Sequence, residues 1–392
     1  MATSLLSPST KTAILEDPSS SSAQAVASTE MSDSDAYALV RTCLSHRCSA
    51  ARRETAQSLL ESGVDWGAAQ RLARWHRVLP LFLHNVTELL GPELPSAMRE
   101  QIRDHRRGVR IRNTFLAQEL SRVCQRFDDA GLPLLVMKGP VLAQAAYGDI
   151  ALRHSVDADV AIPSDQFSEA DRLLKDLGYE HASKRTGMWG WQASLSRYLD
   201  GQWEFTRGDT FTLDVHTRLM PPGYSFPPDF QSFWERARPV QLGDTGSVPG
   251  FSPEDRLLVL VHHGIKNQWR ALRHVADIAA VVQREDDLQW ERLLARAERM
   301  DAARALRLGL YMAHDLLGGM LPDRIHDWAS GPPVQNVAAP LQEYLANRPE
   351  RSSLPYGARV QMQLATKDTL AGQVRYGAHS LLQHLWSAVL RS

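Results

Sequence analysis

The sequence predicts an α+β chain in which a small mixed β-sheet is flanked by N-terminal and C-terminal helical regions. Three observations point there. Over residues 36–130, Leu59, Leu60, Trp66, Leu72, Trp75, Val78 and Leu79 recur mostly at helical spacing. Between Gly131 and Met220 that period gives way to short apolar runs bounded by Gly and Pro. From Pro253 the helical pattern returns.

Bulk properties narrow the class. With 43 % hydrophobic and 23 % charged residues, the balance is that of a soluble globular protein. A net charge of −1 supplies no whole-chain field to attract a polyanion. Cys43, Cys48 and Cys124 are too few for a disulfide framework, and His46 between the first two lacks a fourth ligand for zinc. They read as ordinary thiols of a reducing cytoplasm. No run approaches the ~20 apolar residues of a membrane helix. Residues 1–35, rich in Ser, Thr and Ala, read as a disordered tail without a leader's apolar segment. The expected location is cytoplasmic.

The helical region 36–130 is punctuated by Gly63 and Gly91-Pro92, and Asp65 caps a helix through Trp75. A longer helix from about Pro95 to Ala130 carries Arg99, Arg103, Arg106, Arg107, Arg110 and Arg112. These read foremost as a solvated face, with a phosphate or RNA surface as the alternative. Residues 131–220 form the α/β core. Leu134–Met137 is a buried strand that ends at Lys138-Gly139-Pro140, where a helix begins with proline in its first turn. Val156–Ile162 is a second strand closed by Pro163, and Ser164–Gly178 is helical. Trp203–Phe205 and Phe211–His216 form a hairpin around Arg207-Gly208-Asp209. The aromatic group Trp189, Trp191, Tyr198 and Trp203 reads as packing rather than a base-stacking surface.

Residues 221–252, rich in Pro and Gly, read as a linker. The C-terminal helical domain, 253–330, contains Pro253–Lys266, Arg270–Gln283, Trp290–Arg299 and Ala302–Leu317. Ser252 before Pro253-Glu254-Asp255 combines a cap, a first-turn proline and acids on the helix dipole. Residues 331–392 read as a helical tail.

The chemistry centres on Asp157-Ala158-Asp159. Residues two apart in a strand share a face, about 7 Å apart along it, so both carboxylates can approach one hard cation. A third acid, Asp214, sits inside another apolar strand. Lys138-Gly139, between a strand and a helix, offers a cation and backbone N–H groups to phosphate.

The pattern then becomes specific. Lys138-Gly139, Tyr147, Arg153, Asp157-Ala158-Asp159, Gly178-Tyr179, Asp214-Val215-His216, His263-Gly264, Lys266, Trp269 and Asp277 follow one another in order, preceded by Trp75-His76-Arg77-Val78-Leu79-Pro80. This series resembles the uncharacterised nucleotidyltransferase family of the DNA polymerase β-like superfamily. The resemblance implies transfer of a nucleotide from an NTP such as ATP by a two-metal mechanism. Mg²⁺ (or Mn²⁺) would be held by Asp157, Asp159 and Asp214. It marks Lys138, Gly139, Arg153, His216, His263 and Lys266 as candidates to contact the nucleotide or orient the carboxylates, with Asp277 helping to close the pocket. The structural alternatives are an ion pair for Arg153 and helix packing for His263. Where the superfamily's usual signature has Gly-Gly or Gly-Ser, this chain has Gly139-Pro140, which removes a backbone donor. The acceptor stays open among small molecule, peptide, glycan and RNA. The competing classes are a catalytically inactive nucleotide-binding scaffold and a toxin–antitoxin-type transferase acting on tRNA or protein.

Overall fold

Alternation along two short apolar runs explains the centre of the molecule. In Ala158–Ala161 (β2) and Phe211–His216 (β5), Ala158, Val160, Phe211, Leu213 and Val215 enter one buried core. The residues between them must therefore face the other way. These strands pair in parallel. With Leu135–Val136 (β1), Glu180–His181 (β3), Gln202–Arg207 (β4), Arg238–Gln241 (β6) and Ser247–Gly250 (β7), they form, among the described residues, a seven-stranded mixed sheet of order β3-β4-β5-β2-β1-β7-β6. The computed structural model describes residues 34–44, 49–182, 201–208, 211–219, 230–318, 321–347, 354 and 356–389. Cys48, His46, Trp189, Trp191 and Tyr198 lie outside them, while Cys43 and Cys124 are buried.

The sheet is covered on both faces. One face packs on the C-terminal half of helix Ser96–Asp129 through Leu116, Leu120, Val123 and Phe127, and on helix Phe167–Asp176 through Ala170 and Leu174. The other meets a larger core that joins the N-terminal helices to those beyond Pro253. Ser252 Oγ accepts from Asp255 N (3.2 Å), the predicted cap of helix Pro253–Lys266. The predicted helices 270–283, 290–299 and 302–317 appear as Leu272–Arg284, Trp290–Arg299 and Ala303–Leu317. Beyond them lie Asp323–Ala329, Pro332–Asn347, Tyr356–Ala365 and Leu370–Val389. Among the described residues no helix is long and apolar enough to cross a membrane.

Two predicted boundaries are corrected. Residues 221–252 do not simply link. Helix Phe230–Trp234 and the hairpin β6–β7 lie there, and β7 extends the sheet in parallel with β1 at Val136↔Gly250. Val240, Leu242 and Val248 supply the burial; Pro239 is tolerated because β6 is the edge strand, and Pro249 because β7 meets β1 only at Gly250. Nor does β2 start at Val156, which is 52 % exposed. Arg112 donates to the carbonyls of Ser155 and Val156 (3.0 Å each), drawing that backbone to the long helix, so pairing begins at Ala158↔Leu213.

That helix also accounts for its own arginines. Arg99 donates to the Leu94 carbonyl, and Arg106 and Arg110 both reach Asp149. With Arg112, and with Arg103 paired to Glu100, five of the six have contacts within the chain, which favours the structural reading of this face.

The His263-Gly264 and Trp269 motif is in part a packing device. Helix Pro253–Lys266 and its cap Asn267 are followed by two left-handed residues, Gln268 (φ 58°) and Trp269 (φ 51°), which fold the buried indole back onto Gly264. A Cβ at Gly264 would meet that ring at 2.7 Å. Gly264→Ala is expected to destabilise the chain by about 1–3 kcal/mol through overpacking, read as a lower urea midpoint at unchanged slope.

Candidate active site

The parallel register sets Asp159 of β2 beside Asp214 of β5, and His216 follows two residues on along the same face. The ligand atoms of Asp159, Asp214 and His216 all lie within 4.8 Å of one another. Lys138, at the end of the strand-to-helix turn, donates from Nζ to Asp159 Oδ1 at 2.9 Å, and His216 Nε2 lies 3.2 Å from the same oxygen. Gln202 of β4 donates to Asp214 Oδ2 at 2.9 Å. The other oxygen, Oδ1, is buried with no partner.

Electrostatics separate the two carboxyl groups. Burial works against the charge of Asp159, yet Lys138 and His216 hold its carboxyl well below the usual range. Asp214 is pushed up to about 7, first by burial and then by the charges of Asp159, Asp157 and Glu204. Glu204, directly across from Asp214 in the β4–β5 register, is a fourth acid that the sequence reading did not single out. Alternation with Gln202 in β4 is the signal that could have found it. Burial lowers the basicity of His216, keeping it neutral and a fit metal ligand. Two carboxylates, one neutral imidazole and an orphaned carboxylate oxygen together suit a divalent cation.

Asp157 is not part of that close group. It sits in the bend before β2 and lines the same cavity, of about 420 Å³, one residue outside the strand. The expected geometry of two adjacent strand carboxylates is therefore corrected, and the cause is the Arg112 contact that holds residues 155 and 156. Gly139 earns its place through backbone. Its φ is +70°, and an added Cβ would stand 3.3 Å from the Asp157 carbonyl.

Of the remaining predicted contacts, Arg153 lines the cavity but is engaged by Asp277. It is 4 % exposed, with Nε 2.9 Å from Asp277 Oδ1 and Nη2 3.1 Å from Oδ2, while Tyr147 Oη donates to Oδ1 at 2.7 Å. The geometry fits the ion-pair reading of Arg153, with Asp277 as its partner and outside the cavity lining. Tyr147, Arg153 and Asp277 thus form one buried staple between the sheet domain and helix Leu272–Arg284. Arg153→Met leaves the Asp277 carboxylate buried without its cation. We expect a loss of about 3–5 kcal/mol, measured by urea unfolding, and wild-type stability would contradict this account.

His263 and Lys266 do reach the cavity from helix Pro253–Lys266. The His263 ring stands against that of His274, 5.2 Å between centroids, and burial drives the basicity of both well down, His274 to about 3. Lys266 Nζ donates to Gln202 Oε1 at 3.3 Å. Arg77, from the upstream motif, also lines the cavity, as do Arg270, Arg273 and His274, to which no sequence pattern points.

With this geometry in place, the class follows from the sequence profile. Residues 62–318 match the family described as uncharacterised nucleotidyltransferase, a class of nucleotidyl-transferring enzymes. The chain belongs to that family. Two solved structures are similar to part of the chain. The antibiotic-resistance factor ANT(2'')-Ia is 16 % identical over 48 % of this chain and 93 % of its own, with a TM-score of 0.33. An antigenic nucleotidyltransferase-like protein from Paracoccidioides brasiliensis is 16 % identical over 50 % of this chain and 92 % of its own, with a TM-score of 0.28. No curated protein matches the chain significantly.

Proposed function

We propose that the chain transfers a nucleoside monophosphate from an NTP to an acceptor, with Mg²⁺ or Mn²⁺ held by Asp159 and Asp214 and assisted by Asp157. The orphaned Oδ1 of Asp214, inside a group whose ligand atoms lie within 4.8 Å, carries this reading. When bound there, divalent metal supplies neutralisation of the triphosphate and acidifies an acceptor hydroxyl. His216 and Lys138 hold the Asp159 carboxylate in place, and Gln202 orients Asp214. Lys138 lies near enough to the carboxylates to exchange part of its ion pair for a phosphate oxygen. A scaffold role is disfavoured, because a buried carboxylate set against other acids is costly and of no use without a cation. The reaction is tested by incubating the chain with α-labelled NTPs, Mg²⁺ and a panel of small-molecule, glycan, peptide and RNA acceptors. Label on an acceptor with release of pyrophosphate, lost in Asp159→Asn, is the expected result. Labelling that persists in that variant would overturn the assignment.

A further inference from the structure

Four residues of the cavity wall carry buried side-chain atoms without a hydrogen-bond partner: Ser155 Oγ, Asp214 Oδ1, Arg273 Nε and His274 Nδ1. An unpaired buried polar atom is costly, so several converging on one cavity mark positions for ligand atoms. Asp214 Oδ1 calls for a cation. Arg273 Nε is a donor on a guanidinium and calls for an anion.

Among the described residues, none accepts from Arg273 Nε. The nearby carboxylate, Asp277, is occupied by Arg153 and Tyr147. Among the described residues, no carboxylate forms an ion pair with Arg273 or with Arg77 beside it in the cavity lining. The two arginines are brought together deliberately. Buried His76 accepts from Leu272 N at Nδ1 (3.2 Å) and from Arg273 N at its carbonyl (3.3 Å). This ties the turn after helix Trp66–Trp75 to the first turn of helix Leu272–Arg284. The next residue, Arg77, has φ 59°, a left-handed conformation that costs energy for a side chain of this size. Like charges are thus held in one cavity at a strained backbone, and among the described residues Asp277 and Asp157 act on Arg273 through space without closing an ion pair. Pro140 meanwhile removes a backbone donor from the turn where the resemblance places phosphate.

We propose that Arg273 and Arg77 receive the terminal phosphates of the nucleoside triphosphate, the part that leaves as pyrophosphate. This rests on the nucleotidyl-transfer reading above. In that transfer an acceptor oxygen bonds to the α-phosphorus and the bond from that phosphorus to the bridging oxygen breaks. The electron pair leaves with pyrophosphate, toward the two guanidinium groups, and the acceptor proton passes to solvent. The arginines thereby take over the role of the donor lost at Pro140, and they come from the two helical regions that flank the sheet.

Calorimetric titration of the full-length chain in Mg²⁺ with each common NTP, its monophosphate and inorganic pyrophosphate tests the assignment. Arg273→Met is expected to weaken triphosphate and pyrophosphate binding by about 10- to 100-fold, the worth of hydrogen bonds from a charged donor, while monophosphate binding stays within about twofold. Arg273→Lys should recover part of the loss. Arg77→Met, at an exposed position, should show the same selectivity with a smaller factor, and it carries the test if Arg273→Met lowers the melting temperature. Equal loss for mono- and triphosphate, or no loss in either methionine variant, would overturn the assignment alone. A wild-type chain that binds no triphosphate would overturn the nucleotidyl-transfer reading, and this assignment with it.

Discussion

Asp159→Asn is expected to lower nucleotidyl transfer by on the order of 10³-fold or more, in line with the loss of one preorganised electrostatic contact in an active site. The carboxylate is the meeting point of the site. Lys138 and His216 both hold it, and β-sheet register sets it against Asp214. Asparagine keeps the shape and discards the charge, so the binding of a divalent cation should fail with it. Stability should fall as well, because Lys138, 11 % exposed, loses its partner. We expect about 1–3 kcal/mol, below the cost for a sealed pair because the cavity admits water. The depressed carboxyl of Asp159 adds its stabilisation above the ordinary carboxylate range, and that is lost as pH falls through the depressed folded value. In the variant this acid-side loss should disappear. A variant with wild-type turnover would remove Asp159 from the reaction.

Asp214→Asn should behave in the opposite way on stability and in the same way on activity. The folded carboxyl titrates at about 7 against an ordinary 3.8, so between these values the folded chain keeps a proton that the unfolded chain has released. Stability of the metal-free protein is thereby lost as pH rises through this window, and the whole penalty is present above about 7. Asparagine removes it. In chelator at pH 8 the variant is expected to be roughly 2 kcal/mol more stable than the wild type, a figure discounted for partial exposure. With Mg²⁺ and nucleotide the order should reverse, since only the wild type gains ligand stabilisation. Urea midpoints at several pH values between 4 and 8 measure both. If Asp214→Asn is the less stable protein at pH 8 without metal, Asp214 is not a strained carboxylate waiting for a cation. A residue that stabilises when removed and inactivates when removed marks a site kept for function at a cost to the fold.

The sequence made the scaffold of this site legible and left its connections hidden. Alternation in Phe211–His216 placed Asp214 and His216 on one face, and the sheet register bears that out. Ser252 announced its helix because a cap is a local event. The extent of β2 was misread because a donor outside the local pattern, Arg112, draws residues 155 and 156 away from the sheet. The strands at 238–250 were hidden by Pro239 and Pro249, which argue against strands except on an edge such as β6 or where pairing is as brief as that of β7 with β1. Arg153 and Asp277 were recognised as a pattern, but their direct pairing depends on contacts 124 residues apart. The approach of Arg77 to Arg273 rests on the His76 contact, which spans 196 residues.

The central claim is that the acids on this sheet face create a metal-dependent nucleotide site. Calorimetric titration of each NTP, with and without Mg²⁺, into the wild type and an Asp157→Ala/Asp159→Ala double variant tests it most directly. The account predicts binding by the wild type in Mg²⁺ alone, and none by the variant under either condition. Equal binding by both proteins, or binding indifferent to Mg²⁺, would contradict it.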